Sequence, residues 1–134
     1  MIAPPRPTGA IVRRVALAWK EGAEAARAVS AAAALLDHAQ KVFILSIAEH
    51  DVEGAQKGAE RLAESLAWRG IATDIIAEPG AGRMSHALSR LAYGVDADVL
   101  VMGAYGHGRL REAVLGGVTE DLIKGCAIPV FLFR

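Results

Sequence analysis

Five glycines crowd the stretch 98–119, DVLVMGAYGHGRLREAVLGGVT, at positions Gly103, Gly106, Gly108, Gly116 and Gly117, with His107, Arg109 and Arg111 among them. Glycine reaches backbone conformations that a Cβ forbids. A helix N-terminus leaves N–H groups without partners and carries about half a positive charge, so glycines leading into a helix can cradle phosphate. Val99 to Met102 precede them as an unbroken apolar run of the kind buried on both faces of a parallel sheet. Val118, Thr119, Leu122 and Ile123 resume helical spacing afterwards. One isolated Gly-x-x-Gly would be read as a turn; two clusters with a strand before and a helix after point to phosphate.

The other reactive side chains carry less. His107 has no sequence-adjacent carboxylate to orient it as a general base, so contact with phosphate or water is its expected role. Tyr105 could stack on a base or pack over the loop, and Arg109 and Arg111 could add charge or simply be solvated. His38, His50 and His86 lie in unrelated segments without metal-ligand spacing. Cys126 has no nearby histidine and reads as a packed thiol. Ser46, Ser65, Ser85 and Ser89 lack a G-x-S-x-G elbow, and no G-K-[ST] follows the glycines. No catalytic residue, no metal site and no efficient enzymatic reaction are expected.

The elements that must position the loop follow from periodicity. Residues 1–9, MIAPPRPTG, hold three prolines and no apolar period, so they read as an arm or linker remnant before a domain over 10–134. Strands are expected over 12–19, 41–48, 71–77 (an edge), 99–102 and 128–133, where Pro129 suits an edge. Helical spacing covers 21–38, a stripe from Ala55 to Leu66 closed by Gly70, a third segment from Met84 to near Gly94, and 118–124. The alternation β-α-β-α-β-α-β-α-β argues for an α/β fold: a five-stranded parallel sheet with helices on both faces and right-handed crossovers. Ligands of such sheets sit beyond the carboxyl ends of the strands, where the winding reverses.

With 134 residues the chain is long enough for one domain with a real core. Fifteen basic and fifteen acidic side chains cancel, so no overall field draws it to nucleic acid or anionic lipid. Its longest alanine-leucine run, 31–36, falls far short of the ~20 residues that span a bilayer. A lone cysteine and no charged-then-apolar leader suggest a reduced, cytoplasmic protein.

Gly103-Ala-Tyr-Gly106, nine residues and then Gly116 resembles the nucleotide-binding signature of the universal stress protein family: G-x-x-G, nine residues, G, then Ser or Thr. The resemblance extends over about 14–134. It implies a Rossmann-like fold of the adenine nucleotide alpha hydrolase type with strand order 3-2-1-4-5. It also implies ATP or a related adenine nucleotide as ligand, Mg²⁺ only with that nucleotide, a regulatory role in stress response, and a homodimer formed through the edge strand 128–133. Carried onto this sequence, the binding positions are Gly103, Tyr105, Gly106, His107, Gly108, Gly116, Gly117 and Val118, with Ala18 and Lys20 at the end of the first strand. The chain departs from the family at Gly117, where ATP-binding members carry a hydroxyl, and at Lys20, Glu21 and Gly22, where they read Asp-Gly-Ser. A carboxylate accepts hydrogen bonds from adenine or ribose, whereas a lysine only donates. Trp19-Lys20 is similar to second domains of tandem members, and the proline-rich arm fits a former interdomain linker. Two functions stay open: a nucleotide-binding regulatory module, or a nucleotide-free dimerisation or interaction domain with a degenerate pocket.

Overall fold

The computed structural model describes residues 12–20, 22–80, 83–103 and 125–133. Along these the chain forms β1 (Arg14–Ala18), α1 (Ala23–Ala31), α2 (Ala33–His38), β2 (Lys41–Ala48), α3 (Val52–Ala67), β3 (Thr73–Pro79), α4 (Met84–Gly94), β4 (Val99–Gly103) and β5 (Val130–Phe133). The strands make one sheet in the order β3-β2-β1-β4-β5, and every pairing is parallel. Fold class and strand order are those expected from the sequence. The arm over 1–9 and the helix over 118–124 lie outside the described residues.

Side-chain alternation splits the core into two layers, because successive residues of a strand point to opposite faces. Val15 and Leu17 of β1, Val42 and Ile44 of β2, and Val99 and Val101 of β4 face α1, α2 and α3. Ala16, Ala18, Phe43, Leu45, Leu100 and Met102 face α4 and the approach to β5. The three inner strands are therefore apolar at consecutive positions, whereas β3, covered on one edge alone, keeps Asp74 exposed and pairs it with Lys41 Nζ at 3.2 Å.

Helix ends explain where the boundaries differ from expectation. The Gly70 amide donates to Ala67 O and the Ile71 amide to Leu66 O, with Gly70 at φ 77, which is a Schellman closure of α3. Ile71 is consumed as the apolar contact of that closure, so the third strand begins at Thr73 rather than at 71. Helix α4 closes the same way, with Asp96 donating to Tyr93 O and Ala97 to Ala92 O. Asp96, at φ 56, takes the left-handed position; Gly94 is merely the last helical residue. The helix expected over 21–38 is interrupted at Ala32 (φ −89, ψ 9), although the amides of Ala32 and Leu36 keep their bonds to Ala28 O and Ala32 O. Nothing in the alanine-rich sequence there explains the break.

At the amino ends of the strands, Asp98 ties β4 to β1. Its Oδ2 accepts from the amides of Arg13 (2.8 Å) and Arg14 (2.9 Å), and its own amide donates to Arg14 O. Arg14 completes the latch, donating from Nε to Val95 O at 2.8 Å and lying 4.8 Å from the Phe43 ring centroid.

Candidate functional site

Strand order reverses between β1 and β4, so the carboxyl ends of these two strands mark the crevice where such sheets take ligands. Ala18, buried at 2% exposure, ends β1; Gly103, also buried, ends β4. The structure thus brings two of the residues singled out in the sequence to adjacent strand ends. Lys20, two residues past β1, is exposed beside them. Tyr105, Gly106, His107, Gly108, Gly116, Gly117 and Val118, with Arg109 and Arg111, lie outside the described residues.

What leaves β1 is held by β2. The Trp19 amide donates to Leu45 O at 2.8 Å, and the buried Ser46 hydroxyl donates to Trp19 O at 2.9 Å. With its backbone fixed on both sides, Trp19 sets the direction of Lys20, whose Nζ lies 3.7 Å from Glu49 Oε1 at the end of β2. The Trp19 indole N–H is buried without an acceptor among the described residues. Both ends of the Lys20–Glu49 pair are more than half exposed (58% and 62%), which makes it a weak interaction.

Beneath this pair opens a cleft of about 360 Å³ between the ends of β1 and β2 and the first turns of α3. Trp19, Lys20, Ser46 and Glu49 line one side, and Asp51 and Gly58 the other. Asp51 begins α3 by accepting the Gly54 amide on Oδ1 at 2.9 Å, the ordinary N-cap bond. Gly54 suits that cap, because a Cβ there would overlap Asp51 Oδ2 and come 2.9 Å from its Cγ. Small residues at Gly54, Ala55 and Gly58 keep the helix wall low.

The polar segment 49–51 between β2 and α3 lines the cleft, and no local motif marks it for that place. The signal was indirect: with order 3-2-1-4-5, whatever follows β2 must stand next to whatever follows β1. Ser46, which lacks an elbow motif, is a fixing group for Trp19. Cys126 is half-buried and receives the Ser89 hydroxyl on Sγ at 3.8 Å. Among the described residues, no group of three or more His, Cys, Asp or Glu is placed to hold a metal ion, and no helix is long and apolar enough to cross a membrane.

A five-stranded all-parallel sheet wound on both faces, with a cleft beside its switch point, defines a Rossmann-like α/β domain. The chain belongs to the universal stress protein family, whose model matches residues 12–134. A stretch of 37 residues is 46% identical to universal stress protein Slr1230 of Synechocystis; that stretch is 28% of this chain and spans only 13% of the length of Slr1230. Among solved structures, the hypothetical protein MJ0577 superposes with a TM-score of 0.81 at 20% identity, over 92% of this chain and 96% of that one. A universal stress protein in complex with cAMP gives 0.68 at 24% identity, over 93% and 98% of the two chains. The universal stress protein of Archaeoglobus fulgidus in complex with dAMP gives 0.67 at 16% identity, over 93% and 100%. At these identities the likeness is one of fold.

Proposed function

We propose that this chain is a regulatory module that binds an adenine nucleotide, ATP or a close relative, and acts in stress response. The phosphates would lie over the glycine loop that follows β4, and the nucleoside would extend across the end of β1 into the cleft below β2. The observation that carries the reading is the cleft itself: it opens beside the switch point, and its volume of about 360 Å³ falls within the usual range for small-molecule sites, roughly 300–1,000 Å³. Proteins of the same fold solved in complex with cAMP and with dAMP support an adenine nucleotide as the ligand. Mg²⁺ would enter only with the nucleotide, held by its phosphates. In this reading the module responds to nucleotide without turning it over efficiently. A lone thiol suits a reducing, cytoplasmic setting.

Isothermal titration of nucleotide-stripped protein with ATP and Mg²⁺ tests this. Micromolar binding that a Gly106→Val variant loses is the expected result. Absence of binding, with no nucleotide released on stripping, would leave the second reading: an interaction domain with a degenerate pocket. One observation favours that alternative: Lys20 offers only donors where the family's ATP-binding members carry a carboxylate. Among the described residues β5 stands at the sheet's edge, where a second copy could pair with it. A homodimer through β5 is compatible with either function.

A further inference from the structure

We propose that Glu49 selects for hydrogen-bond donors on the nucleoside, with Lys20 as the residue that positions its carboxylate; this rests on the nucleotide reading above. Asp51 spends Oδ1 on capping α3, and the Ser46 hydroxyl gives its hydrogen to Trp19 O. Glu49 lines the cleft with its side chain more than half exposed, and its ion partner Lys20 stands at 3.7 Å, beyond the 2.7–3.2 Å of a hydrogen bond, so its accepting capacity is not consumed. An exposed pair of this kind is worth at most about 1 kcal/mol and yields readily to a better partner.

Strand order gives the pair a direction. Phosphate would sit beyond β4, Lys20 follows β1 and Glu49 follows β2, and the sheet runs β2-β1-β4. The ammonium therefore stands on the phosphate side of the carboxylate. A nucleotide laid across these strand ends meets positive charge next to its phosphates and negative charge next to its nucleoside, which fixes which end enters the cleft. An ionised carboxylate only accepts, so it favours an exocyclic amine or a ribose hydroxyl and disfavours a carbonyl oxygen in the same place. The missing acceptor at the end of β1 is thereby replaced from the neighbouring strand.

The test compares AMP, IMP and 2′-deoxy-AMP by calorimetry on nucleotide-stripped protein. IMP replaces the exocyclic amine by an oxygen, and 2′-deoxy-AMP removes one ribose hydroxyl. Wild type should favour AMP over at least one analogue by about tenfold, the lower end for a hydrogen bond to a charged group. In Glu49→Gln, whose amide both donates and accepts, that ratio should fall toward one. Lys20→Met should shrink the ratio and Lys20→Arg restore it, an effect on discrimination that a purely structural role would not produce. Circular dichroism checks that the exposed substitutions leave the fold intact. Discrimination unchanged in Glu49→Gln, or absent in wild type that still binds AMP and loses it in Gly106→Val, overturns the role of Glu49 while the nucleotide reading stands. Wild type that binds none of the three overturns both.

Discussion

Replacing Gly54 by alanine should leave stability nearly unchanged, for a reason that a second substitution exposes. Alanine gains about 1 kcal/mol over glycine inside a helix. At Gly54, however, the new methyl would overlap Asp51 Oδ2, so the capping carboxylate must rotate away and the 2.9 Å bond to the Gly54 amide is lost. Losing an N-cap costs about 1 kcal/mol, and the two effects cancel. In an Asp51→Ala background there is no cap left to displace, and Gly54→Ala should then stabilise by about 1 kcal/mol. The coupling between the two sites is therefore about 1 kcal/mol, read as a difference of about 0.5 M in urea midpoint when the four proteins of the cycle are unfolded at equilibrium. Equal effects of Gly54→Ala in both backgrounds would refute the argument, since cap and methyl would then coexist.

Four other outcomes are expected. Asp98→Ala, which removes the acceptor of the Arg13 and Arg14 amides, should cost about 2–3 kcal/mol in urea unfolding; a loss below about 0.5 kcal/mol would mean that the latch is ornamental. Asp96→Gly should stabilise by about 0.5–1 kcal/mol, because the left-handed residue closing α4 would no longer carry a Cβ; destabilisation would point to a role for the Asp96 side chain. Leu132→Lys should give a monomer by light scattering if β5 pairs between two copies, and an unchanged dimer would place the interface elsewhere; Val130, at 2% exposure, is unsuitable for that test because its replacement would disturb the core. In a Trp68→Phe background Trp19 is the remaining tryptophan, so AMP should alter its emission; Trp68, 86% exposed, would otherwise mask the signal, and a flat titration with calorimetric binding would put the ligand away from the cleft.

The sheet was legible because its inner strands announce themselves as consecutive apolar residues, and Gly103 was legible because glycines follow such a run at once. Helix closure was harder to read. Asp96 and Gly94 compete for the same turn, and the winner is set by where Ala97 can bury against α4, a tertiary matter. Harder still was Glu49: nothing within a few residues marks it, and its meeting with Lys20 depends on β1 and β2 pairing Ala18 with Leu45. Local pattern finds the elements, whereas contacts across strand ends appear only once the strand order is applied.

The Asp98 latch and the cleft stand at opposite ends of the sheet, one clasping the amino ends of β1 and β4 and the other built on the carboxyl ends of β1 and β2. For protein engineering this makes the molecule a handle with an exchangeable head. Residues 19–20 and 49–51 form a short cassette that can be rewritten for other small molecules while the clasp keeps the strands aligned. A library randomised at Lys20, Glu49 and His50, all exposed, should consist mostly of folded proteins, which is the condition a useful binding scaffold has to meet.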